Sequence, residues 1–283
     1  MKNFRVVALL MLIGSLTVAC NLGPLREGSF QKTFNVSSKA NLRVETNAGN
    51  ITVHTGPAQS VVISGHIRAR GGFPGPSAES KIEKISANPP ISQDGNSIHI
   101  SGVQGSELRK NVYVDYDITV PEDTELTATS GAGNVRIKGL TQNVEGTTGA
   151  GSIATEAISG DERLRTGAGS IEVISPLGSL VAESGAGKIS ARGEPKRNWD
   201  LRVGAGSIKM EIPASSSFDL EAQSGFGTVK LGTALSFRTP MFQNPMYRER
   251  LAKAAHVSWR TVVRDLSKSA KVWSRIKVCT SRM

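Results

Sequence analysis

Residues 130–137 read SGAGNVRI, and this pattern returns as TGAGSIAT at 148–155, TGAGSIEV at 166–173, SGAGKISA at 184–191, VGAGSIKM at 203–210 and SGFGTVKL at 224–231. The first glycines of these copies, at 131, 149, 167, 185, 204 and 225, are 18, 18, 18, 19 and 21 residues apart. One earlier copy, TNAGNITV, occupies 46–53. A period of this length indicates one small structural unit per copy, stacked on its neighbours.

Each copy predicts two short strands that meet at a glycine corner. After the corner, apolar residues such as Ile171 and Val173 enclose a polar residue, here Glu172. A second alternation precedes the corner and is interrupted at Gly146 and Glu162. A period of two indicates strands with one buried face. The corner residues, where glycine permits a backbone that other residues resist, are Gly131, Gly133, Gly149, Gly151, Gly167, Gly169, Gly185, Gly187, Gly204, Gly206, Gly225 and Gly227.

The recurrence of one residue type at each position favours an all-β fold of the β-solenoid type. In a solenoid, equivalent side chains stack from coil to coil, and each repeat contacts its neighbours. An antiparallel meander of hairpins also uses two strands per copy and is the alternative. Segments that alternate without the glycine corner, such as 60–70 and 112–120, predict a part with broader strands at the N-terminal end of the same sheet system.

The N-terminus is typical of an export signal. Two basic residues lie within 1–5, and an uncharged apolar run follows over 6–18. The run ends Leu-Thr-Val-Ala-Cys, which resembles the bacterial lipobox, where the cysteine becomes the acylated N-terminus. We predict a signal peptide over 1–19 and lipidation of Cys20, for example by palmitate. A plain secretory signal with an incidental cysteine is the alternative.

The residues after the cysteine bear on location. Asn21 follows Cys20, and by resemblance to lipoprotein sorting this indicates the outer membrane or its periplasmic face. We expect residues 20–41 to form a lipid-anchor linker between the membrane and the repeat domain, which we place at 42–235.

Charge is distributed unevenly along the chain. The net charge is +10 and the pI is about 9.8, but residues 236–283 alone carry +9 and residues 20–235 carry −1. A nucleic-acid-binding domain needs a basic face. The balanced charge of the repeat body therefore disfavours nucleic acid as a partner.

The basic tail over 236–283 breaks the repeat abruptly. We interpret the tail as a shifted reading frame, because the codons of residues 263–269 permit SGSVKI, another repeat-like segment, in the shifted frame. A basic amphipathic helix over 247–276 lying on anionic lipid is the alternative. We therefore expect the tail to be helical or disordered and to lie outside the repeat domain.

The segment Asp117-Ile-Thr-Val-Pro121 and the roughly six Ser/Thr-Gly-x-Gly-x-Ile/Val copies after it resemble the bacterial β-strand-repeat family DUF4097, the adhesin domain family. The resemblance covers about Leu42–Leu231. It implies an exported, non-catalytic β-repeat lipoprotein with a structural or adhesive role at the cell envelope. A protein or a glycan at the cell surface would be its ligand.

Motifs for cofactor chemistry are weak. The segment GAGKI at 185–189 lacks the first glycine and the Ser/Thr of a phosphate-binding loop. The repeats also lack the aspartates of calcium-binding rolls. The histidines of the body have no zinc-ligand spacing; they are His54, His66 and His99. We therefore expect no catalytic, cofactor-binding or metal-binding residues.

The enzymatic alternative is an envelope enzyme of the β-helix type acting on polysaccharide. Such sites need clustered carboxylates, usually beside aromatic sugar platforms. Asp115 and Asp117 share one strand face, which suits either a solvated face or a weak acid pair. Trp199 is expected in the core or at a coil edge. The sequence predicts that the protein is not an enzyme.

Overall fold

A computed structural model describes residues 22–37, 39–57, 59–72, 75–213, 219–223, 226–233 and 274–279. The predicted signal peptide, Cys20 and Asn21 lie outside this part of the chain. Within it, the fold is all-β, and its coils stack as a β-solenoid of about 5 turns. No helix in the described part is both long and apolar enough to cross a membrane.

The strands and helices follow one another closely. In chain order they are β1 (Leu22–Asn35), β2 (Asn41–Thr46), β3 (Ile51–Thr55), β4 (Ser60–Gly72), α1 (Ala78–Ala87), β5 (Ile91–Asp94), β6 (Ser97–Ile100), α2 (Ser106–Arg109), β7 (Val112–Val120), β8 (Glu125–Ala132), β9 (Val135–Lys138), β10 (Val144–Ala150), β11 (Ile153–Glu156), β12 (Glu162–Ala168), β13 (Ile171–Ile174), β14 (Leu180–Arg192), β15 (Trp199–Ile212), β16 (Asp219–Gln223), β17 (Phe226–Thr233) and β18 (Ser274–Cys279).

Equivalent strands of successive copies pair in parallel and in register. Ile153 lies beside Ile171, Ile171 beside Ile189, and Ile189 beside Ile208. The parallel pairing confirms the solenoid rather than the hairpin meander, in which strands next to each other in the chain would pair. Ile171 is fully buried and Glu172 is exposed, so the predicted strand phase is confirmed as well.

The earlier repeat copy at 46–53 is the coil on which the consecutive copies stack. Strand β2 pairs in parallel with β8, and β3 pairs in parallel with β9. The residues between the two copies, 56–124, are therefore an insertion between stacked coils. Part of the insertion forms a further layer, because β6 pairs with β2 and β7 pairs with β3.

The rest of the insertion closes the N-terminal end of the solenoid, and we call residues 56–124 together with β1 the cap. Strand β4 pairs antiparallel with both β1 and β7, and α1 packs on β1 and β4. The absence of a side chain at Gly28 leaves room for Ile82 of α1. The buried Lys81 fixes the helix, because its Nζ donates to the carbonyls of Arg70 at 3.2 Å and Lys110 at 2.7 Å.

The structure corrects the predicted linker over 20–41. Residues 22–35 are strand β1, which pairs with β4 from Leu22↔Gly72 to Asn35↔Ser60. Phe30 is buried and Phe34 is partly buried against the core. The two phenylalanines are too few to make the alternation visible in a segment that is otherwise mostly polar. The described part of the folded domain therefore begins at Leu22 rather than at Leu42.

Of the basic tail, the structure describes Ser274–Cys279 alone. That segment is neither helical nor disordered, because it forms β18, which pairs antiparallel with β15 and β16. Within its sequence, SRIKVC, the four central residues alternate between polar and apolar, as in a strand with one buried face. Strand β18 pairs with residues Trp199–Val203 of β15. In a regular solenoid, β16 of the next coil would occupy that position.

Candidate interaction surface

The glycine corners stack so closely that side chains are excluded. A Cβ built on Gly149 would lie 2.5 Å from the carbonyl oxygen of Gly131. A Cβ on Gly151 would collide with the carbonyl of Gly133, and its φ of +146° is one that other residues rarely adopt. The same close approach of the preceding coil occurs at Gly131, Gly133, Gly167, Gly169, Gly185, Gly187, Gly204 and Gly206. Gly227 pairs with Gly206, and Gly225 lies outside the described residues.

At four successive corners, the Ser or Thr before the corner hydrogen-bonds to the preceding coil. The hydroxyl of Thr148 donates to the Gly133 carbonyl at 2.8 Å, and that of Thr166 donates to the Gly151 carbonyl at 2.9 Å. Ser184 and Ser130 make the same bond one coil later and one coil earlier. A buried hydroxyl needs a partner, and the positive-φ glycine supplies it. The Ser/Thr-Gly-x-Gly motif is thus an inter-coil hydrogen-bonding unit, a reason that the sequence pattern alone did not reveal.

The position after each corner forms a second ladder. The Asn50 side-chain oxygen accepts from the Asn134 backbone N–H at 2.9 Å, and the Asn134 oxygen accepts from the Ser152 N–H at 2.9 Å. Asp115 extends the ladder into the cap by accepting from the Asn50 N–H at 2.7 Å. These amides are engaged within the stack. A phosphate-binding loop, in contrast, points its free amides at the ligand.

The outward faces of the coils carry charges of both signs. Glu183 joins its own coil to both neighbouring coils, because its carboxylate binds Arg165 and Arg202 at 3.2 Å each. On the other face, Arg192 and Glu211 form an inter-coil pair at 2.6 Å. Exposed pairs of this kind contribute little to stability. The faces are therefore solvated, charge-balanced surfaces.

An open groove of roughly 600 Å³ lies where the cap meets the solenoid. Its floor contains Phe30 and Tyr116, whose rings meet edge to face at 6.3 Å. Its rim is polar and is formed by Ser29, Gln31, Asn50, Thr52, Ser64, His66, Asp115, Asp117 and Arg136.

The three histidines do not converge. His54 Nδ1 lies 3.3 Å from an Asp117 oxygen, and its Nε2 lies 2.9 Å from the Thr119 hydroxyl. The other two each lie near a different glutamate, in the pairs His66–Glu27 and His99–Glu45. Among the described residues, no group of three His, Cys, Asp or Glu side chains could hold a metal ion.

The two aspartates that share a strand face serve different partners. Asp115 binds the Arg68 guanidinium at 2.8 Å and the Asn50 side-chain amide at 3.0 Å. Asp117 lies instead beside His54. The arrangement supports the solvated-face interpretation, because two carboxylates that shared a proton would have to contact each other.

Two irregular positions in the core have different outcomes. The space left by the missing side chain of Gly146 is filled by Leu164. A methyl group of Leu164 lies 3.2 Å from the position that a Cβ on Gly146 would take. At Glu162 nothing compensates: the residue is 2% exposed, and neither carboxylate oxygen has a hydrogen-bond partner in the described part of the chain. Burial raises the pKa of Glu162 to about 7; the Thr155 hydroxyl acts against this shift without a hydrogen bond of good geometry. Trp199 is fully buried, as expected.

The similarity of this chain to known proteins is weak. No family model matches the chain, and no curated protein matches it. Among solved structures, the chain is similar to a "putative cell adhesion protein" from Clostridium sporogenes, with 10% sequence identity and a TM-score of 0.28. The likeness covers 74% of this chain and 94% of that chain.

Proposed function

We propose that the protein is an exported, lipid-anchored β-repeat protein of the DUF4097 type, with a structural or adhesive role at the bacterial cell envelope. The observation that carries the proposal is the coil stack itself. Its interior is filled by apolar rows, and its two outer faces are long, charge-balanced ladders. Such a solenoid presents an extended surface to a partner. The partner is a protein, a glycan or another copy of the chain, and the chain is not an enzyme.

The export signal and the lipobox-like cysteine support the location. Acylation of Cys20 would add several chains, and each buried CH₂ contributes about 0.8 kcal/mol to membrane binding. Two or more such chains hold a protein stably on a membrane. Asn21 supports retention at the outer membrane or its periplasmic face.

The anchor is tested by comparing the wild-type protein with Cys20→Ser in a bacterial host. We expect the wild-type protein in the membrane fraction, with a mature N-terminal mass that includes acyl chains. The Cys20→Ser variant should remain an unacylated precursor or appear as a soluble protein. Cys279→Ser is the matched control, because it removes the other cysteine and should leave the anchor unchanged. An unmodified mature Cys20 in the wild-type protein would contradict the proposal.

The non-catalytic role is tested by incubating the purified protein with envelope and plant polysaccharides. We expect no change in polymer length and, in parallel, retention of intact envelope components on the immobilised protein. Release of reducing ends or unsaturated sugars would instead support the β-helix enzyme.

A further inference from the structure

The start of the folded domain lies very close to the proposed anchor. Strand β1 begins at Leu22 and is paired there with Gly72, two residues after Cys20. A fully extended chain spans about 3.3–3.6 Å per residue, so Leu22 can be no more than about 7 Å from the acylated residue. The inference below rests on the proposed lipid anchor, because this distance matters only if Cys20 is in the membrane.

The β1–β4 pair extends beyond the strand beside it. Pairing of β4 with β7 ends at Ala69↔Val112, whereas pairing of β4 with β1 continues through Leu25↔Arg70 to Leu22↔Gly72. The Arg70 N–H still donates to the Asn111 carbonyl at 3.0 Å, so the end of the pair after Arg70 is an overhang. Leu25, at the base of this overhang, is 42% exposed, which makes it one of the few large apolar side chains in the described part of the chain that face solvent.

Basic residues lie near the base of the overhang. The Lys81 ammonium binds the carbonyls of Arg70 and Lys110, so the end of β4 and the segment after α2 lie side by side. The side chains of Arg70, Arg109 and Lys110 are exposed. The acidic residues near this end are Glu107 of α2, Glu79, which pairs with Arg26 at 2.7 Å, and Glu27, which lies beside His66. Arg70, Arg109 and Lys110 therefore leave this end with a small surplus of positive charge.

We propose that this end of the domain, defined by Leu25, Arg70, Arg109 and Lys110, docks on an anionic phospholipid surface. The Leu25 side chain enters the membrane–water interface. The charged groups of Arg70, Arg109 and Lys110 face the phosphate groups of the lipids. Because strand structure begins two residues after the anchor, no flexible spacer separates the domain from the lipid. The membrane therefore fixes the orientation of the domain, and the opposite surfaces are left free for partners.

The proposal is tested with the full-length acylated protein in vesicles of phosphatidylglycerol and phosphatidylcholine that contain a headgroup-nitroxide lipid. In a Cys279→Ser background, an environment-sensitive fluorophore is attached at Leu25→Cys or, as the control, at Glu172→Cys on the outward face of β13. We expect strong quenching at position 25 and almost none at position 172. Equal quenching at the two positions would overturn the proposal.

Charge reversal tests the basic rim. Each basic residue near an anionic surface contributes enough that removing two lowers the docking equilibrium constant by about 30-fold. Because the anchor alone keeps position 25 near the membrane, we expect Arg109→Glu with Lys110→Glu to lower quenching at position 25 clearly without abolishing it. The matched pair Arg136→Glu with Arg163→Glu makes the same charge change on outward strand faces and should leave quenching intact. Unchanged quenching in the Arg109/Lys110 variant would overturn the proposal.

The N-terminal mass separates the two proposals. An acylated protein whose position 25 is not quenched would contradict docking and leave the anchor standing. An unacylated protein would contradict both the anchor and the docking that rests on it.

Discussion

At the residue scale, the buried carboxyl of Glu162 makes the stability of the fold depend on pH. Its neighbours in register are Val144 and Leu180, so the charged form has an apolar row on either side. The other charged residue that is buried in the described part, Lys81, lies in the cap and binds two carbonyls. Burial is the main cause of the raised pKa of Glu162, and ionisation of this group therefore opposes folding.

The stability of the protein should fall as pH rises from about 4.5 to about 7. Below this range Glu162 is protonated in both the folded and the unfolded chain. Within this range Glu162 is ionised in the unfolded chain but still protonated in the folded chain. Ionisation therefore stabilises the unfolded chain relative to the folded one. Each pKa unit corresponds to about 1.4 kcal/mol, so the loss is about 3 kcal/mol and is complete above the folded pKa.

Denaturant unfolding of the wild-type protein and of Glu162→Gln at pH 5 and pH 8 measures this effect. The wild-type free energy of unfolding should be lower at pH 8, and most of the difference should disappear in Glu162→Gln. Glu172→Gln, which changes an exposed carboxyl in the same coil, should keep the wild-type difference. Identical pH dependence in the wild-type protein and Glu162→Gln would contradict the assignment.

At the element scale, β1 is a structural strand and not a spacer. Phe30 is buried and packs edge to face on Tyr116 of β7. Its ring also lies over Gly65, where a side chain would collide with it. Phe30→Ala should therefore destabilise the protein by about 3–5 kcal/mol, the usual effect of removing a buried aromatic ring.

Thermal melting of Phe30→Ala beside Gln31→Ala tests this expectation. Gln31 is the exposed neighbour on the same strand, and its replacement should change stability by less than about 0.5 kcal/mol. Equal melting temperatures for the two variants would show that residues 22–35 behave as a linker after all.

The element scale also shows what the sequence could and could not predict. The strand phase around Ile171 and Glu172 was predictable, because an alternating pattern repeated in register leaves one assignment of faces. Strand β1 was not, since Phe30 and Phe34 alone point to the core and Gly28 is explained by a helix 54 residues further along the chain. The role of Thr148 was hidden for a similar reason: its acceptor, Gly133, belongs to the preceding coil.

At the scale of the whole molecule, the regular spacing of the copies dictated the solenoid, but the long gap after the first copy concealed the cap. A spacing of 18 residues brings each copy back to the same place one coil further on. The insertion at 56–124 leaves the stacking of β2 on β8 and β3 on β9 intact. Its own strands and α1 cover the N-terminal end of the core, which a repeat protein needs in order to remain soluble.

The parallel, in-register stack is the central claim, and an engineered disulfide tests it most directly. Ala154 of β11 and Glu172 of β13 are register partners; strands in a sheet lie about 4.8 Å apart, within the Cα range of a disulfide. With Cys20 and Cys279 both replaced by Ser, we predict that Ala154→Cys with Glu172→Cys oxidises to an intramolecular disulfide. Ala154→Cys with Ser190→Cys, one coil further along, should not. Failure of the first pair to form a disulfide, or equal oxidation of both pairs, would contradict the stack.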